Sequence, residues 1–273
     1  MATGRHARER IDRVLIDIVR PADYVRWEYL SRQRLLATNI LHARGGAPTT
    51  ILDIGCGQGA LSLTLSESAG LDVVAMDLLP ERVSAVRARG SSRSPGTADR
   101  VRIVLANAES LPFHDEAFDA VVATEVLEHV DDPAQLFLEV RRVLRPTGRF
   151  FMTTPNAEAL TYRVLRFLPK AAVDKLAASL VHECLHPELL HDHAAAGPAH
   201  HPDRHRREGF TIAELEGLGD LTGMRMQRAY TYRIPIPDRV MGLTPRRFSR
   251  RIASLGTRRL PLGLQLYAEF MRP

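Results

Sequence analysis

At 273 residues, with 45% apolar and 25% charged side chains, the chain has the make-up of a soluble globular protein. That length accommodates one large α/β domain with an elaborated cap, or two small domains. The net charge of +5 is carried by arginine, since lysine occurs only at Lys170 and Lys175; an Arg- and Ala-rich bias follows from a GC-rich genome and does not argue for a nucleic-acid partner.

Two cysteines, Cys56 and Cys184, show no pairing pattern, which argues against a disulfide scaffold and fits a reducing compartment. The N-terminal stretch MATGRHARERIDRVLIDIVR alternates in charge and lacks the apolar core of a secretory signal. No apolar run approaches the about 18 residues that a spanning helix needs. The expected location is cytoplasmic.

Residues 6–20 and 24–43 have helical periodicity, with Pro21 between them and Gly45-Gly46-Ala47-Pro48 after them. The pair reads either as edge helices or as a lid (residues 1–44) with Arg34 or Tyr24 turned toward a ligand. Residues 45–273 read as the main domain. Strand 50–54, helix 59–68, strand 72–76, helix 80–89, strand 101–105, strand 118–123, helix 133–144 and strand 148–154 follow in order. Alternating helices and continuous apolar strands predict a parallel sheet covered on both faces. Residues 90–99, GSSRSPGTAD, read as a surface turn.

After residue 155 the alternation stops. Cap insertions are expected at about 157–209 and 234–261. Helix 211–222 and strands 225–233 and 262–271 lie around them.

The stretch ILDIGCGQG (51–59) reads as a buried strand, a glycine turn and a helix start. Glycines permit positive φ and close approach of a ligand to the backbone, and the helix N-terminus offers free N–H groups. Gly55-x-Gly57-x-x-Ala60 also fits a dinucleotide turn, with Asp77 as a ribose acceptor. Asp53 disfavours that ligand: a carboxylate suits a cationic ammonium and repels a pyrophosphate.

The order ILDIGCGQG, Asp77, NAESLPF, FDAVVATEVLEHV, LEVRRVLRPTGRFFMTTPN resembles the class I S-adenosylmethionine-dependent methyltransferases. It is most similar to the branch holding ubiquinone-biosynthesis O-methyltransferases and other small-molecule enzymes. The resemblance is dense over about 45–156 and thins into HRREGFTIAELEGL (205–218). It implies a Rossmann-like, seven-stranded, mostly parallel sheet that ends in an antiparallel hairpin. The implied cofactor is S-adenosylmethionine. Gly55, Gly57 and Gly59 would line its amino-acid and ribose parts, Asp53 would face its ammonium, and Asp77 would accept its ribose hydroxyls. Asn107 stands where the family usually has Asp and would contact the adenine amino group. Ala108 would offer a backbone N–H to the ring, Leu78 and Leu111 would pack on it, and Thr124 would lie beside the cofactor. Arg34 is a further candidate.

Methyl transfer from a sulfonium needs alignment and exclusion of water, and a hydroxyl acceptor is helped by a base. Glu125 and His129, four apart at the ligand-binding edge of the sheet, are the candidate catalytic pair; alternatively they are structural features of the fold. Seven of the 11 histidines fall in 182–205, but their spacing fits no standard metal site, so none is expected. They read instead as a polar loop or a lid offering a base. The stretch 245–259, PRRFSRRIASLGTRR, reads as a solvated basic helix or a peripheral contact with acidic lipid. The expected reaction is methylation of a small-molecule hydroxyl on a secondary metabolite, quinone or lipid-like compound. Competing readings are N- or C-methylation, a non-catalytic cofactor-binding protein, and an NAD-dependent oxidoreductase. The Asn/Asp-Pro-Pro-aromatic box of nucleic-acid amino-methyltransferases is absent after the fourth strand, so no nucleic-acid substrate is expected.

Overall fold

The computed structural model describes residues 9–12, 14–15, 24–43, 49–93, 96–159, 206–207, 209–232, 259 and 261–273. Seven strands form one sheet: β1 (Thr50–Ile54), β2 (Asp72–Asp77), β3 (Val101–Leu105), β4 (Phe118–Thr124), β5 (Leu144–Pro155), β6 (Arg225–Tyr232) and β7 (Gln265–Met271). Their order is β3-β2-β1-β4-β5-β7-β6. The first five run parallel, while β7 runs antiparallel to both β5 and β6. The expected mostly parallel sheet with a terminal hairpin is present. The strand order reverses at β1, between β2 and β4, where open α/β sheets take their ligands.

Helices α1 (Tyr24–Ala43), α2 (Ala60–Ala69), α3 (Pro80–Ser91), α4 (Thr97–Arg100), α5 (Pro133–Val143) and α6 (Ile212–Thr222) complete the described elements. Their ends follow from local chemistry. Asp132 caps α5, its Oδ1 accepting from the N–H groups of Ala134 (2.9 Å) and Gln135 (3.1 Å), with Pro133 at the first turn. Thr211 and Glu214 form a reciprocal capping box at α6. Gly70 and Gly223 close α2 and α6 in the left-handed region.

Two apolar layers sandwich the sheet. On one side Phe137 of α5 meets Phe150 and Phe270 edge-on, with centroids 5.4 and 5.1 Å away. Each buried phenylalanine contributes about 1.5–3 kcal/mol. On the other side Leu36 and Ile40 of α1 and Leu61 of α2 cover Ile51, Phe151 and Tyr267. Of the expected first helix, residues 9–12 and 14–15 are described as helical, and Ile11 and Leu15 are buried in this second layer.

Three stretches differ from the sequence reading by two or more residues. β5 begins at Leu144 rather than 148, because Leu144 already pairs with Phe118 of β4 ahead of an irregular stretch, with Thr147 at φ +63°, before the register resumes at Ala120 and Arg149. The 90–99 stretch is less of a loop than expected: α3 continues to Ser91 and α4 begins at Thr97, which is buried. The last strand starts at Gln265, three residues later than 262. Most of the insertions 157–209 and 234–261, including the histidine-rich 182–205 and the basic stretch 245–258, lie outside the described residues. Arg259 is described and sets its guanidinium 5.1 Å from the ring centroid of Tyr230. Among the described residues no helix is long and apolar enough to cross a membrane.

Candidate functional site

A cleft of about 590 Å³ opens at the C-terminal ends of β1, β2 and β4. Its floor is the glycine turn, where Gly55, Gly57 and Gly59 all have left-handed φ (64, 54 and 79°). A β-carbon would meet different surroundings at each. At Gly55 it would come within 2.4 Å of Val126 Cγ2, and at Gly59 within 2.8 Å of Val86 Cγ1. At Gly57 it would meet nothing within 4 Å, so this backbone is open to a ligand. Gly55 and Gly57 line the cleft, while Gly59 does not. Gly59 instead lies outside the cleft lining and lets α2 start against α3.

Two carboxylates flank the turn. Asp53, 1% exposed, accepts from Ser62 Oγ at 2.5 Å. Burial, with a smaller push from the charge of Asp77, raises its pKa to about 7 against the opposing Ser62 bond. Asp77 ends β2. Its Oδ2 accepts from the Gly57 N–H at 2.9 Å and its Oδ1 from the Leu79 N–H at 3.1 Å. Asp77 thus braces both the glycine turn and the entry to α3, and each oxygen retains a lone pair for a ligand.

Leu78, half exposed, and Ala108 line the cleft. Asn107 lines it too, but its Oδ1 accepts from the Glu109 N–H at 2.9 Å, closing a local turn. Leu111 is corrected: it is buried in the α5-side core and does not reach the cleft.

The opposite wall follows β4. Thr124, Glu125 and His129 all line the cleft, so the structure brings together the two candidate catalytic residues. Glu125 is 8% exposed and has φ +54°, a strained conformation for a non-glycine residue. Its Oε2 stands 3.3 Å from Arg32 Nη1. Arg34 is corrected. Its Nε pairs with Asp12 at 2.9 Å on the surface, and it does not line the cleft. On a helix the two positions face apart, and Arg32 shares the buried stripe of Leu36 and Ile40, four and eight residues on. That spacing was the available signal. Tyr29 and Gln33 of α1 and Arg206 near the end of the 157–209 insertion also line the cleft and were missed. The backbone N–H of Arg206 donates to the Glu128 carbonyl at 2.8 Å, and its Nε pairs with Asp131 at 3.0 Å.

Around the cleft the carboxylates of Asp53, Asp77, Glu81, Glu109, Glu125 and Asp131 outnumber the guanidiniums of Arg32, Arg82 and Arg206. A protein of net charge +5 thus presents an acidic cleft, which suits a cationic ligand. Among the described residues no cluster of His, Cys, Asp or Glu could hold a metal.

A family profile described as a methyltransferase domain matches residues 52–152. The ubiquinone biosynthesis O-methyltransferase of Xylella fastidiosa (strain M23) is 32% identical over 180 residues, covering 60% of this chain and 68% of that protein. The fold is similar to that of an S-adenosylmethionine-dependent methyltransferase from Thermotoga maritima, with a TM-score of 0.58, 17% identity and 92% of each chain covered. It is also similar to geranyl diphosphate C-methyltransferase from Streptomyces coelicolor A3(2), with a TM-score of 0.54, 18% identity and coverage of 87% of this chain and 77% of that one.

Proposed function

This chain belongs to the class I S-adenosylmethionine-dependent methyltransferases, and on that premise we propose that it methylates a hydroxyl of a small molecule, whether a secondary metabolite, a quinone or a lipid-like compound. Its methyl donor is S-adenosylmethionine. The hydroxyl assignment is supported by the O-methyltransferase named above.

The observation that carries the reading is the open, acidic cradle itself. Gly57 offers unobstructed backbone between Asp53 and Asp77. Those groups fit the cofactor: Asp53 would face its ammonium, and Asp77 would accept its ribose hydroxyls on the lone pairs left beside Gly57 and Leu79. The half-exposed Leu78 offers apolar surface to the adenine, with Asn107 and Ala108 at its edge. Thr124, at the end of β4, lines the same cleft and would lie beside the cofactor. When bound, the cofactor would supply an electrophilic methyl group on a sulfonium. The protein's work is alignment and exclusion of water. His129 removes the hydroxyl proton, and Glu125, held by Arg32, orients the acceptor from the same wall.

N-methylation is the second reading, favoured by the excess of carboxylates, which would also hold an amine acceptor. Incubation with methyl-labelled cofactor and an extract of the producing cell decides between them. A product whose fragments carry the label on oxygen supports the proposal, and label on nitrogen or carbon overturns it.

A further inference from the structure

Two buried carboxylates and one guanidinium meet where β4 and β5 end. The Glu125 N–H donates to the Thr153 carbonyl at 2.9 Å. Glu125 Oε2 pairs with Arg32, while its Oε1 is buried and has no hydrogen-bond partner. Three residues on, Glu128 is 1% exposed. Its Oε2 accepts from Thr154 Oγ1 at 3.0 Å, and its Oε1 is likewise buried without a partner. Thr153 and Thr154 are consecutive, so one strand end holds both acids.

A buried oxygen that lacks a donor is destabilising, and two in one cluster call for an explanation. Both carboxylates ionised would also leave more negative charge than Arg32 can offset in a dry site. A proton on Glu128 removes one of the two charges and gives its carboxyl a donor of its own. We propose that Glu128 is a neutral acid in the folded protein, which leaves Glu125 as the one charge of the pair opposite Arg32, and that Glu128 is thereby a positioning residue for the Glu125 carboxylate on the cleft wall. Burial, and then the charge of Glu125, push the Glu128 carboxyl well above the usual carboxylate range, against the weaker pull of Thr154 and Arg32.

The groups that bear on Glu128 come from four elements. Glu125 and His129 share its loop, Arg32 comes from α1 and Thr154 from β5. Arg206 and Arg207 donate their backbone N–H groups to its carbonyl. Of the pair, only Glu125 lines the cleft, so Glu128 acts through it. The bearing on catalysis rests on the acceptor role proposed for Glu125. The protonation does not, so the two can fail separately.

Infrared spectroscopy of the full-length protein tests this without an acceptor. At pH 7, in an Asp53→Asn background that removes the other carboxyl raised toward neutrality, the protein should show the carbonyl stretch of a neutral carboxylic acid, absent once Glu128→Gln is added, which keeps a donor toward Glu125 and an acceptor for Thr154. The band should disappear as the pH is raised. In Glu125→Gln, which removes the neighbouring charge, its midpoint should fall by at least one pH unit. In that background, no band at pH 7, a band that persists in Glu128→Gln, or a midpoint unmoved in Glu125→Gln would each overturn the proposal.

Discussion

The backbone N–H of Gly57 donates to Oδ2 of Asp77 at 2.9 Å, which ties the glycine turn after β1 to the end of β2. One carboxylate therefore shapes the floor of the cleft and stands ready to hold a ligand against it. Asp77→Ala removes both functions. S-adenosylhomocysteine affinity should fall by about 1.5–3 kcal/mol, the worth of lost charge-assisted hydrogen bonds. Asp77→Asn, which retains one acceptor oxygen, should fall less. Calorimetric titration of both variants reads this, and an unchanged affinity in Asp77→Ala would reduce the residue to a helix brace.

The three turn glycines should separate stability from binding. An alanine in the left-handed region costs about 1–2 kcal/mol at any of them. Gly59→Ala also collides with Val86, adding an overpacking cost of about 1–3 kcal/mol. Gly57→Ala meets no protein atom, so its thermal midpoint should fall less, yet its methyl stands where the cofactor approaches. Melting curves with and without S-adenosylhomocysteine should show Gly59→Ala as the less stable variant, and Gly57→Ala as the one that loses the ligand-induced rise.

Asp53 makes cofactor binding pH-dependent. With a pKa raised to about 7 in the free protein, it is largely protonated below that pH. An ammonium partner favours the charged form, so binding expels the proton. Affinity for S-adenosylhomocysteine should be highest above about pH 7 and fall by up to tenfold per pH unit below it. Titrations in buffers of different ionisation enthalpy should register the released proton. Asp53→Asn should flatten the profile, and a flat wild-type profile would refute the role given to Asp53.

The two arginines of α1 should behave oppositely. Arg32→Ala leaves Glu125 buried without its ion pair, a loss of about 3–5 kcal/mol. The Arg34–Asp12 pair is exposed, and Arg34→Ala should cost less than about 1 kcal/mol. Denaturant melts of the two variants make the comparison.

Much of this was legible in the amino-acid order. β1, β2 and β4 read as strands because parallel strands covered on both faces are continuous apolar runs. Asp53, Gly57 and Asp77, named from the turn pattern, all line the cleft. What failed was discrimination between like residues. Gly57 and Gly59 are the same letter two places apart, and only Val86, contributed by α3, distinguishes packing from access. Arg32 and Arg34 differ in the helical face they occupy, which the Leu36–Ile40 stripe encodes but their charge does not. Arg206 lies about 80 residues along the chain from Glu125 and reaches the cleft through a bond to the Glu128 carbonyl that no local pattern announces.

The central claim is that this cleft binds S-adenosylmethionine. Isothermal titration of the wild-type protein at pH 8 with S-adenosylhomocysteine, and separately with NAD, tests it most directly. The account predicts saturable one-site binding of S-adenosylhomocysteine and no heat of binding with NAD. Binding of NAD in place of S-adenosylhomocysteine, or of neither, would contradict it.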